Sequence, residues 1–252
     1  MKKYIGIDLG TSAVKLLLVS ADGRIISSVS EEYPIHYPRP GWTEQDPALW
    51  LRAVKTGISR LTRGIDTTEI AGISTGGQMH GLVVLDKADK VIRPVILWND
   101  GRTQKQTDWL NREIGKGKLA ALTGNIAFAG FTLPKLLWLK ENEPENFQKI
   151  RTLMLPKDYI TLFLCGEKAT DYSDASGTLL LDVENKRWSS EMCRLTGINP
   201  EWLPGLYESY AVVGTLKKQL AEELGLPGGI RIIAGAGDNA AAAVGTGTVG
   251  DR

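Results

Sequence analysis

The chain has 252 residues, 42% of them hydrophobic, which is enough to bury one large core or two smaller ones. Its 30 lysines and arginines nearly balance 29 aspartates and glutamates, so no global field exists to hold nucleic acid or an anionic membrane, and an anionic ligand must be gripped locally. Met1-Lys2-Lys3-Tyr4 opens no secretory leader, no apolar run approaches the ~18–20 residues that span a bilayer, and Cys165, Cys193, His36 and His80 offer neither a disulfide framework nor a zinc spacing, which fits a reduced cytoplasm.

Residues 4–8 and 14–20 read as buried strands, and the Ala21-Asp22-Gly23 turn leads to a third strand over 24–31. Asp46-Pro47 sets a capping carboxylate before a proline at the first helical position. Trp50, Ala53, Val54, Gly57, Ile58 and Leu61 follow at the spacing of an amphipathic helix. Strands are expected over 70–74, 81–85 and 91–98, then helices over 103–114, 133–141 and 157–164. The polar stretch 170–177 reads as a loop, 215–224 as a helix and 230–234 as a strand. The tail after Gly237 is rich in Ala, Gly and Thr, and its last dozen residues are expected to lack order. Three strands, a helix, another strand and later helices place the chain in the α/β class, with a mixed sheet flanked by helices and a helix-rich subregion over about 103–225.

Gly6-Ile-Asp8-Leu-Gly10-Thr11-Ser12 puts a carboxylate at the end of a buried strand, before a glycine turn and two hydroxyls. Such a turn brings backbone N–H groups close to phosphoryl oxygens, while Asp8 can hold Mg²⁺ through water and Lys15 can neutralise a phosphate. An ordinary hairpin with a solvent-facing aspartate has the same spacing.

A second strand ends in Gly235-Ala-Gly237-Asp238-Asn239, before an alanine-rich segment able to start a helix. Gly235, Gly237 and Ala240 also fit a dinucleotide fingerprint. Only twelve residues follow Ala240, too few for the acidic residue about 20 positions on that grips ribose. Gln78, Met79 and His80 sit in a glycine-rich loop that can offer a polyol neutral donors, acceptors and an apolar wall. Trp98-Asn99-Asp100-Gly101-Arg102 is a similar polar cluster. Its plainer reading is a turn with Asp100 and Arg102 paired in solvent, worth at most about 1 kcal/mol.

These five motifs, with Thr170 to Gly177 as the fourth in chain order, resemble the FGGY carbohydrate kinases across the whole chain, and Gly77-Gln-Met-His-Gly81 points to their pentulose-directed members. The resemblance implies a ribonuclease-H-like, actin-like ATPase domain. It implies ATP-dependent phosphorylation of a ketopentose, D-xylulose at its 5-hydroxyl, with ATP and Mg²⁺. Asp8 would organise magnesium and the transferring phosphate, with Gly10, Thr11, Ser12 and Lys15 near the phosphate path. Gln78, Met79, His80, Trp98, Asn99, Asp100, Arg102 and Asn239 would form the sugar site. Asp238 would take the proton of the attacking hydroxyl.

Members of that family are about twice as long, so the chain is expected to be the N-terminal domain, over 1–252, with the C-terminal nucleotide-binding domain absent and ATP turnover poor. A homodimer is left open. Three rivals remain: another sugar specificity, an actin-type ATPase that needs no sugar loop, and a non-catalytic sugar-binding module.

Overall fold

The computed structural model describes residues 1–248, and its first layer follows from the apolar alternation of three strands. Strands β1 (Lys3–Leu9), β2 (Ala13–Ser20) and β3 (Ile25–Glu32) form an antiparallel meander. Ile5, Ile7, Leu9, Val14, Leu16 and Leu18 point to one face and are buried, while Asp8 and Lys15 point to the other. Helix α1 (Pro47–Leu61) covers the buried face. The Asp46 carboxylate accepts a hydrogen bond from Ala48 N at 2.9 Å, and Trp50, Val54, Ile58 and Leu61 pack inward. Each such side chain contributes roughly 1.5–3 kcal/mol on leaving water.

Strand β4 (Ile70–Gly77) runs parallel to β1. Helices α2 (Thr132–Asn142) and α3 (Pro156–Cys165) follow, then β5 (Ala169–Asp171), the short helix α4 (Tyr172–Ala175), β6 (Val212–Thr215), β7 (Arg231–Gly237) and α5 (Asp238–Gly245). The main sheet has the order β6-β7-β4-β1-β2-β3, parallel between β1, β4 and β7 and antiparallel elsewhere. It is the mixed sheet flanked by helices that the sequence implies. Helix α3 joins α1 on the buried face, whereas α5 lies against β4 and β7. A second core lies to the side and includes Leu82, Val84, Leu110, Leu136, Trp138, Leu180 and Met192.

Several segments depart from the sequence reading. Within 91–98 only Val95–Ile96 is a strand, because Pro94 has no N–H to give a ladder. The expected helix over 103–114 is α-helical at Gln104–Trp109 and π-helical from Leu110 to Gly115. Residues 212–215 form β6, and the helix after them spans Lys218–Leu224. The stretch 170–177 is no surface loop: it comprises most of β5, α4 and part of a 3₁₀ turn, because its polar side chains bond to one another and to Lys157. The tail expected to lack order is helical through Gly245, and residues 249–252 lie outside the described part. Among the described residues, no helix is long and apolar enough to cross a membrane.

Candidate active site

Strand register assembles the site. Asp8 and Leu9 of β1 pair with Gly76 and Gly77 of β4, and these pair with Ala236 and Gly237 of β7. Three parallel strands therefore end in one row, at the edge where open α/β sheets receive ligands. The β7 register shifts between Ile233 and Ala236, around Gly235 at φ +75°. A Cβ at Gly235 would overlap the Thr75 carbonyl oxygen, so no other residue fits that approach. The chain then turns into α5 with Asp238 as its first residue, whose Oδ1 accepts a hydrogen bond from Asn239 N at 2.7 Å.

Two clefts meet at this carboxylate. The first, of about 480 Å³, is lined by Asp8, Lys15, Ser74, Gly76, Gly77 and Asp238, among others. The second, of about 230 Å³, is lined by Met79, His80, Trp98, Asp238 and Asn239. Burial, with the charge of Asp238 behind it, holds Asp8 above the usual carboxylate range, while Lys15 pulls it down. Two carboxylates on one cleft supply hard oxygen donors suited to a divalent cation. Among the described residues no group of three potential ligands closes around a metal, so an ion there would keep much of its water.

His80 stands at φ +67°, and its Nδ1 is 3.1 Å from the carbonyl oxygen of Gly177. A carbonyl can only accept, so Nδ1 carries the hydrogen and Nε2 is left as an acceptor. The ring stacks on Phe131 with centroids 4.8 Å apart. The buried Lys135 ammonium clamps the loop backbone, donating to the carbonyls of His80 at 3.0 Å and Phe131 at 3.3 Å, and to that of Gly130. Burial, with Lys135 adding to it, lowers the His80 pKa to about 4 against the Gly177 bond. The folded protein therefore binds fewer protons here than the unfolded chain between pH 6.5 and about 4, and stability falls as pH drops through that window. The His80 share of the loss is on the order of 2–3 kcal/mol. Urea denaturation from pH 7 to 4.5 is expected to give a flatter profile for His80→Asn than for the parent, and parallel profiles would count against a neutral, buried imidazole.

The remaining expected site residues stand beside the clefts. The Thr11 hydroxyl accepts from Trp98 Nε1 at 3.0 Å and so braces an indole that is 47% exposed. The Gly10 carbonyl accepts from Tyr33 Oη at 2.6 Å and Gln78 Nε2 at 3.3 Å, which puts Gln78 under the hairpin. Ser12 sits at the hairpin turn, its carbonyl taken by Tyr33 N. Asn99 Oδ1 accepts from Thr43 Oγ1 at 2.8 Å.

Asp100 and Arg102 are no solvent pair. Both side chains are fully buried, Arg102 donating to Asp100 through Nε at 2.8 Å and Nη2 at 2.7 Å, and to Glu44 at 2.7 Å, with its guanidinium 3.8 Å from the Trp42 ring centroid. The tryptophan faces desolvate the pair, making it a brace under the Trp98 loop. The sequence reading also passed over Lys157, Asp158, Asp171 and Asp174, which form a buried ionic cluster behind β7. The acid density of 170–174 was the available signal, and loop-like composition pointed it outward.

A model of the N-terminal domain of the FGGY family of carbohydrate kinases matches residues 3–245. The xylulose kinase of Lactococcus lactis is 45% identical over 254 residues, covering 100% of this chain and 50% of that protein. The crystal structure of a xylulose kinase from Brucella ovis matches with a TM-score of 0.94 and 43% identity over 98% of this chain and 51% of its own. That of a gluconate kinase from Lactobacillus acidophilus matches with a TM-score of 0.90 and 32% identity over 94% of this chain and 48% of its own. The chain thus spans about half the length of these relatives.

Proposed function

The chain belongs to the FGGY family of carbohydrate kinases, and from that premise we propose that it is the sugar-binding, base-carrying half of an ATP-dependent kinase that phosphorylates D-xylulose at the 5-hydroxyl. The observation that carries this reading is that Asp238 lines both clefts. A hydroxyl held in the smaller cleft then has its base on one side and the incoming phosphoryl group on the other.

In this reading His80 Nε2, Asn239 and the edge of Trp98 orient the sugar, and Met79 supplies an apolar wall. Asp238 accepts the hydroxyl proton as the new bond forms. Phosphoryl transfer has a loose transition state in most analyses, so alignment and charge neutralisation do most of the work and the base need not be strong. Lys15 and the backbone of the hairpin from Gly10 to Ser12 lie on the phosphoryl side. Asp8 would hold Mg²⁺ through water, and the ion would neutralise charge on the ATP phosphates. A second domain, the half of the relatives that this chain does not span, would close over the nucleotide. Free thiols at Cys165 and Cys193 suit a reducing cytoplasm.

A sugar acid such as gluconate is the second reading, favoured by the second solved relative. The smaller cleft argues for the ketose: its lining includes Asp238 and a neutral imidazole and, among the described residues, no lysine or arginine to receive a carboxylate. The test joins the chain to the C-terminal half of a xylulose kinase and follows ADP release with xylulose, ribulose, glycerol or gluconate. Release that depends on xylulose, and far weaker release from the 252-residue chain alone, are expected. Sugar-independent hydrolysis would overturn the reading in favour of an actin-type ATPase.

A further inference from the structure

The polar stretch from Asp171 to Gly177 touches both halves of the site through contacts that the roles above leave unused. Ser173 Oγ accepts a hydrogen bond from Gly237 N at 3.2 Å and donates to Asp171 Oδ2 at 2.5 Å. Gly237 is the cap of α5 and has no side chain to satisfy the helix start, so Ser173 grips the peptide that aims Asp238. Asp171 is itself held. Its Oδ2 also accepts from Ser173 N at 2.9 Å and Ser209 Oγ at 2.7 Å, and its Oδ1 lies 3.0 Å from Lys157 Nζ. Lys157 in turn donates to the Ala234 carbonyl at 3.3 Å, on the strand that ends in Gly237.

At the far end of the same stretch, Gly177 accepts from His80 Nδ1 and fixes the imidazole tautomer. The fit is tight, since a Cβ at Gly177 would clash with the edge of the His80 ring at Cε1 and Nδ1. One segment of seven residues, Asp171 to Gly177, therefore holds both the residue before the base and the imidazole of the sugar loop.

We infer that Ser173 and Gly177 are positioning residues of a strut, residues 171–177, that sets the spacing between Asp238 and His80. The inference rests on the function proposed above for those two side chains. Neither strut residue touches substrate in this scheme; each acts through its neighbour.

The test separates the two ends. In the 252-residue chain, Ser173→Ala is expected to speed hydrogen exchange at the Gly237 amide about tenfold or more, and Ser173→Thr, which keeps the hydroxyl, to restore protection. In the joined two-domain enzyme, Ser173→Ala is expected to lower kcat about tenfold with KM for xylulose within about twofold. Gly177→Ala is expected to do the converse, weakening xylulose binding by calorimetry about tenfold and moving the His80 imidazole ¹⁵N signals off the Nδ1–H tautomer. A Gly237 amide as protected in Ser173→Ala as in the parent, or kcat and KM shifting together in both variants, would overturn the strut. The exchange and ¹⁵N readouts do not depend on turnover, so they still decide the matter if Asp238→Asn shows that the base lies elsewhere.

Discussion

Asp238→Asn is expected to lower sugar-dependent turnover of the joined enzyme about 10³-fold while leaving xylulose affinity within about threefold. The amide is nearly isosteric and keeps an oxygen for the Asn239 N–H, so the start of α5 should stay in place. In the proposed mechanism, what disappears is the acceptor for the hydroxyl proton, which matters once the oxygen begins to bond to phosphorus. Steady-state kcat and calorimetric Kd on the same preparation separate the two effects, and an unchanged kcat would refute the base assignment. The substitution also removes a negative charge that pushes Asp8 up, so the Asp8 pKa should fall towards its ordinary value.

The second large effect concerns stability. Lys157→Met is expected to cost about 3–5 kcal/mol, a drop on the order of 10 °C in melting temperature. Burial opposes the charge on Lys157, but Asp158, Asp174 and Asp171 outweigh it and hold the ammonium well above its usual range. Burial also pushes Asp171 up, yet Lys157 and the hydroxyls of Ser173 and Ser209 keep it below the usual range. Asp158 and Asp174 are raised by burial, and neither oxygen of Asp174 has a hydrogen-bond partner among the described residues. A carboxylate raised in the folded state holds a proton that the unfolded chain has released, so its contribution to stability grows as pH falls towards the unfolded value of 3.8. Loss of Lys157 pushes these groups further up. The deficit of Lys157→Met relative to the parent should therefore shrink between pH 7.5 and 5.5 in denaturant titrations, and a pH-independent deficit would mean that lost packing dominates.

These two residues also show what the sequence could disclose. Asp8 and Asp238 were readable because one sits at the end of an apolar strand just before Gly10 and the other directly after a strand that ends in Gly235 and Gly237, a local pattern that points to a turn at a sheet edge. The meander and α1 were readable for the same reason: alternation and a proline-primed cap are short-range signals. Lys157 was not. Its partners lie up to 77 residues away, at Ala234, and its neighbours in sequence say nothing of them. The stretch 170–177 misled by composition, since threonine, aspartate and serine serve turns and buried networks alike. Asp100 and Arg102 misled similarly, because the rings that remove them from water are Trp42 and Trp138, distant in sequence. Gln78, Asn99 and Thr11 came from motifs of the right neighbourhood, and the fold gives them bracing contacts where the motif alone suggested contact with ligand.

The shared row of strand ends makes the sheet a ruler. β4 lies between β1 and β7, so the backbone at Asp8 and that at Ala236 are two strand spacings apart, roughly 10 Å. That gap is a constant of hydrogen-bonded β structure and takes no instruction from the loops around it. In the proposed scheme, loop residues such as Met79, His80 and Trp98 can be exchanged to admit a different acceptor while the interval between β1, which carries Asp8, and β7, which leads into Asp238, is left alone. Redesign of acceptor preference should therefore begin in those loops and leave the glycines between them untouched.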